Sequence, residues 1–144
     1  MWGNYAGTLI RHNKRRTEEF IHVNCKIMIH TQDIELQFFR NSILHIVCCD
    51  TPESILSFAI GRGFDLPVGV ENPDGLFCKT DKDFYIIIHK DTTEGDVAHE
   101  TTHFMNTLWK SMRQDLDDTN DEAYCHLLSY FTDRCIDFRN SIGW

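Results

Sequence analysis

Five consecutive residues, His99-Glu100-Thr101-Thr102-His103, have the types and spacing of a metal site carried on a helix. Residues four apart on an α-helix lie one turn apart on the same face, so both imidazoles can reach one cation. The carboxylate of Glu100 can then reach a water molecule on that cation and accept its proton. This H-E-x-x-H pattern is typical of zinc hydrolases, although eight histidines make a chance match more frequent than usual.

The sequence around this pattern predicts a helix from about residue 93 to Ser111. Thr93 and Asp96 have the spacing of a capping box. Lys110 lies near the other end, where the helix dipole favours positive charge. Apolar residues recur at helical spacing along the segment, namely Val97, Phe104, Leu108 and Met112.

A catalytic zinc ion takes three protein ligands, so a third donor is expected beyond the two histidines. Glu122 follows His103 after eighteen residues, within Asn120-Asp121-Glu122-Ala123. In this respect residues 95–135 resemble the gluzincin metallopeptidases, in which a second helix carries a glutamate ligand. More narrowly, they resemble small phage-encoded proteins with H-E-x-x-H followed by N-D-E-A. The resemblance implies a Zn²⁺ cofactor held by His99, His103 and Glu122, with Glu100 as the general base.

Two alternatives remain for the third ligand. Thr119 and Glu122 also have the spacing of a capping box, so the carboxylate of Glu122 has a possible role in starting the helix. As a separate alternative, Asp118 or Asp121 is the third ligand. Both belong to an acidic run between the two helices that otherwise predicts a solvent-exposed turn.

The sequence departs from the resemblance at one position. Thermolysin-like gluzincins have a carboxylate four residues after the glutamate ligand, where this chain has His126. Either another acid takes the role of that carboxylate, or His126 faces the substrate as a proton donor. Tyr124, Tyr130 and Tyr85 are further candidates for stabilising an oxyanion.

Composition favours one globular domain over residues 1–144, with the metal-site core at about 84–139. Apolar residues make up 42% of the chain and charged residues 25%, as in ordinary globular proteins. The net charge of −8 argues against a nucleic-acid partner. No apolar run predicts a membrane span, and six cysteines without an export signal or a C-x-x-C pair favour a cytoplasmic location.

The remaining elements are predicted from periodicity and turn residues. Residues 1–19 are polar and poorly patterned, and their basic run 11–16 reads as a solvated helix or loop. Strict alternation predicts a strand at 21–29. Residues 34–39 are predicted as a second strand or a short helix, and the mostly apolar run at 42–49 predicts a buried strand. Thr51-Pro52-Glu53 starts a helix that ends near Gly61, and residues 64–75 form a loop. A hairpin at 76–79 and 84–89 precedes the metal-site helix, and the last helix spans about 120–139.

These elements predict an α+β fold in which a small, mainly antiparallel sheet packs against the active-site helix and a C-terminal helix. The resemblance suggests residues 85–89 as an edge strand that binds an extended peptide. The expected function is that of a zinc metallopeptidase acting on a peptide or protein substrate. The alternative is a catalytically silent zinc-binding protein with a phage structural or host-interaction role.

Overall fold

The computed structural model describes residues 10–22, 25–66, 69–70 and 73–144. Its strands are β1 (Ile10–His22), β2 (Cys25–Leu36), β3 (Ser42–Cys49), β4 (Gly75–Lys79) and β5 (Phe84–His89). Its helices are α1 (Pro52–Gly61), α2 (Glu94–Ser111) and α3 (Asp121–Ser141). None of these helices is long and apolar enough to cross a membrane. The predicted α+β class is confirmed, with one mostly antiparallel five-stranded sheet.

The strand order β1-β2-β3-β5-β4 makes β4 an edge of the sheet. Strand β5 pairs in parallel with β3 on one side and antiparallel with β4 on the other. The prediction that residues 85–89 form the edge is therefore wrong. Ile86, Ile87 and Ile88 are fully buried, because a strand paired on both sides and covered on both faces is apolar throughout.

The sequence misassigned the first two strands. Residues 21–29, predicted as one strand, belong to both β1 and β2, which pair as an antiparallel hairpin. The alternation continues through both arms and so concealed the change of direction. Residues 11–16, predicted as a helix or loop face, lie in β1, whose polar sequence gave no strand signal. Residues 1–9 and 23–24 lie outside the described part of the chain.

Helices cover both faces of the sheet. On one face, α1 packs on Ile29, Val47 and Ile87. On the other face, α2 and α3 pack on Leu44, Ile46 and their neighbours in β2 and β5. The other helix and hairpin predictions are confirmed within a few residues, and Thr51 caps α1 as expected.

A polar network links three strands and the turn before β5 on the α1 face. Arg16 donates to Asp33 at 2.9 Å, and the two ring nitrogens of His45 lie 2.7 Å from Asp33 and 3.2 Å from Asp83. Burial would raise the pKa of Asp33, but hydrogen bonds and positive charge from His45 and Arg16 outweigh it and lower that pKa. The network thus accounts for a histidine inside a buried strand.

Phe104 is central to the packing that positions α2. Its fully buried ring lies 5.2 Å from the ring of Phe84 in the sheet and 5.0 Å from that of Phe131 in α3. We expect Phe104→Ala to lower the free energy of unfolding by about 3–5 kcal/mol, since it leaves a cavity between three elements. Urea denaturation measures this loss. Leu116→Ala, at a side chain that is exposed in the loop before α3, should leave the unfolding midpoint unchanged.

Candidate metal centre

His99 and His103 lie on the exposed face of α2, and their side chains converge. The two Nε2 atoms are 3.1 Å apart. Two nitrogen ligands of a tetrahedral zinc ion, each at 2.0–2.1 Å from the metal, are about 3.3 Å apart. The pair therefore has the separation that chelation of one metal ion requires.

A capping interaction starts α2, and the packing of its apolar residues determines which side of the helix is exposed. The hydroxyl oxygen of Thr93 accepts from the backbone N–H of Asp96 at 3.1 Å and donates to the Asp96 carboxylate at 2.7 Å. Val97, Phe104 and Leu108 are fully buried against the sheet and α3. Because these residues face inward, helical geometry turns both histidines outward.

Glu100 occupies a different flank of α2, against the edge strand β4. Its carboxylate lies near the backbone of Phe77, and its Cγ lies close to Gly75. A Cβ atom built on Gly75 would lie only 2.8 Å from that Cγ. The glycine therefore provides the space in which the Glu100 side chain lies.

The pKa of Glu100 is raised, chiefly because partial burial disfavours the charged carboxylate. The positive charges of protonated His99 and His103 act in the opposite direction, as does the Phe77 amide. A carboxylate with a raised pKa is a stronger base than an ordinary surface glutamate. This property suits a general base.

The structure does not bring Glu122 to the two histidines. Its side chain is 76% exposed, and its Oε1 lies 3.0 Å from Nε2 of His126 one turn further along α3. Contrary to the capping alternative, Asn120 is the N-cap residue and makes no side-chain capping bond. Glu122 and His126 thus form a surface pair of their own.

The register of the two helices explains this separation. Phe131 packs on Phe104, and Cys135 lies beside Thr101, so the helices run antiparallel with residues near 132 level with His103. Glu122 comes ten residues earlier, which at 1.5 Å per residue is about 15 Å along the helix axis. Within the described residues, no group of three His, Cys, Asp or Glu side chains converges as a metal site. The predicted three-ligand set, with Glu122, Asp118 or Asp121 as third member, is therefore not assembled in this structure.

The other candidate catalytic residues are also elsewhere. Tyr124 is buried, donates its hydroxyl hydrogen to Oδ1 of Asn106 at 2.5 Å and packs against Trp109. Tyr85 lies on the opposite face of the sheet, stacked on His45. Tyr130 packs against Phe131 as a half-buried part of the core.

Sequence reasoning missed the groups that surround Glu100. Gly75 and the Phe77 amide belong to β4, and only the pairing of strands reveals that β4 is beside α2. Gly75 at the start of a strand gave no functional signal in the sequence, because glycine often occurs at such positions for structural reasons alone.

Comparison of the chain with known protein families, curated proteins and solved structures found no match.

The geometry predicts which side chains determine metal affinity. We expect His103→Ala to abolish binding of one zinc ion, and Glu122→Gln to bind zinc as the unmodified chain does, because Glu122 lies outside the pair. Equilibrium dialysis with elemental analysis measures both. A comparable loss in Glu122→Gln would contradict the helix register described here and would support the ligand set that the gluzincin resemblance implies.

The raised pKa of Glu100 makes a prediction about stability. Glu100 binds its proton more tightly in the folded chain than in the unfolded chain. Its protonation therefore stabilises the fold at low pH, and this stabilisation is lost as the pH rises through the folded-state pKa. In the presence of a chelator, Glu100→Gln should therefore raise the melting temperature at neutral pH. The gain should vanish near pH 4, close to the unfolded-state pKa of glutamate at about 4.3. Glu35→Gln, at an exposed position in β2, is the matched control and should show no gain at either pH.

Proposed function

We propose that this chain is a zinc-dependent hydrolase of peptide or amide bonds, with His99 and His103 as metal ligands and Glu100 as the general base. The observation that carries the proposal is the convergence of the two Nε2 atoms at 3.1 Å beside a partly buried carboxylate. Catalytic zinc sites have three protein ligands. The proposal therefore requires one further donor, which the described residues do not supply in this arrangement.

The edge strand suggests how a substrate would lie. Among the described strands, β4 pairs only with β5, so its other edge offers backbone groups to an extended peptide. Glu100 lies beside Gly75 and Phe77 of this strand. A peptide added to β4 would consequently pass the carboxylate, with its scissile bond near the two histidines.

The chain's own residues would then move the proton. A bound zinc ion polarises a carbonyl and lowers the pKa of water. Glu100 accepts a proton from the attacking water and passes it to the nitrogen of the leaving amine. The Glu100 side chain lies in the space beside Gly75, and the raised pKa of Glu100 makes protonation easier than it is for a surface glutamate.

The exposure of both histidines favours a second candidate, a metal-binding protein without catalysis. A pair that lies open on a helix face, with no third donor in the described residues, can also bridge to a partner through a shared metal ion. This corresponds to a phage structural or host-interaction role. Cleavage of a mixed peptide library, with and without a chelator, distinguishes the two functions.

Two substitutions beside the metal test the catalytic role. Glu100→Gln should keep zinc and lower kcat by about 10²–10⁴-fold, since it removes the general base. Gly75→Ala should also keep zinc and lower kcat by about 10- to 100-fold, because the new Cβ displaces the Glu100 side chain.

Gly61→Ala is the matched control, since a Cβ atom there meets nothing within 4 Å. Library cleavage measured by mass spectrometry, with zinc content determined in parallel, gives both readouts. Chelator-sensitive cleavage that persists in Glu100→Gln would refute the assignment of the base. The absence of any cleavage by the zinc-loaded chain would favour the non-catalytic function.

A further inference from the structure

A cavity of about 380 Å³ lies where the β2–β3 turn, the β4–β5 turn and the end of α2 meet. Its size is within the range of small-molecule sites. Five basic side chains and one acidic side chain, Asp81, line it. The basic residues are Arg40, Lys79, Lys82, Lys110 and Arg113.

This concentration of positive charge contrasts with the rest of the chain. The sequence has 14 basic and 22 acidic residues, yet the cavity lining has five basic residues and one acidic residue. Of the five basic residues, only Lys110 and Arg113 lie at the end of a helix, where the helix dipole favours positive charge. The dipole does not account for Arg40, Lys79 or Lys82, which come from other elements. All five basic residues are exposed, so solvent screens their mutual repulsion, and they remain open to an anion that enters the cavity.

Both arginines that line the cavity have unfavourable backbone conformations. Arg40 has φ 53° and Arg113 has φ 56°, in the left-handed region that glycine and asparagine adopt more easily. Arg40 occupies the first central position of a turn in which Ser42 N–H donates to Phe39 O, a position where Asn or Gly is preferred. Arg113 follows the last turn of α2, a position that glycine usually fills. Such strain is common at functional sites.

We propose that this cavity binds a chain of two or more phosphates, either inorganic or carried by a nucleotide. Arginine side chains match phosphate oxygens in pairs, and lysines add unpaired positive charge. A triphosphate brings several negative charges into one compact group. In an extended acidic peptide, carboxylates on the same side are about 7 Å apart, so few of them fit one cavity of this size.

The cavity is distinct from the metal centre. Its lining contains none of His99, Glu100 and His103. Lys110 is seven residues after His103 on α2, about 10 Å along the axis. The proposal therefore does not depend on zinc binding or on hydrolysis.

Isothermal titration of the full chain with sodium tripolyphosphate at physiological salt tests the proposal. We expect saturable binding that is weakened about tenfold or more by Arg40→Asn and by Arg113→Asn, because each removes charge-assisted hydrogen bonds. Lys90→Gln, which removes the same charge at an exposed position after β5, is the control and should bind as the unmodified chain does. Repetition with EDTA excludes binding through a metal ion.

Thermal unfolding without ligand tests whether the two arginines serve only to stabilise the fold. In that case their replacement would lower the melting temperature. Arg40→Asn and Arg113→Asn should raise the melting temperature, since asparagine adopts the left-handed conformation more easily. A lowered melting temperature would show that the arginines stabilise the fold. Lys110→Gln, which leaves the backbone conformation unchanged, should also weaken tripolyphosphate binding.

Further ligands identify the source of the phosphates and the competing partners. Equal affinity for ATP and tripolyphosphate would show that the phosphates suffice, and tighter binding of ATP would indicate a nucleotide. The proposal is overturned if tripolyphosphate does not bind, if Lys90→Gln weakens binding as much as the cavity variants, or if a single-stranded oligonucleotide or a decaglutamate peptide binds more tightly.

Discussion

The burial of one apolar stripe of α2 determines the geometry of the candidate site. Val97, Phe104 and Leu108 pack inward against the sheet and α3. Once that stripe is inside, the helical period leaves His99 and His103 on the solvent side and directs Glu100 towards β4. The chemistry-bearing residues therefore require no separate device to orient them, because the hydrophobic packing of the same helix does so.

The distance between two residues in a sequence does not determine their distance in the fold. Glu122 has a spacing from His103 that is typical of gluzincins, which made it the natural third ligand. Here α2 continues for eight residues beyond His103, to Ser111, and the connection to α3 is made at that far end. The first turn of α3 is consequently level with the end of α2, and the residues level with the histidines are near 132. The sequence predicted both helices but not their register, which depends on the packing of Phe104 against Phe131.

Periodicity in the sequence predicts where several strands lie, but it does not predict which strands pair with each other. The apolar run of β3 and the hairpin of β4 and β5 were predictable, since their residues are buried and bounded by turn residues. Strand β1 was not, because Arg11–Arg16 and the acidic residues after them suggest a solvated segment. The edge position of β4 was also not predicted. It depends on the parallel pairing of β5 with β3, and the local sequence does not show which distant strands pair.

The two candidate sites differ in the backbone conformations of their residues. His99 and His103 occupy ordinary positions within α2, whose core packing is made by other residues of the helix. At the basic cavity, Arg40 and Arg113 hold left-handed conformations that asparagine or glycine would adopt with less strain. Packing explains the histidine face as a consequence of the fold. At the cavity, the contact of the Arg40 guanidinium with the ring of Phe39, 5.5 Å from its centroid, offsets part of the cost of the left-handed conformation at one of the two positions.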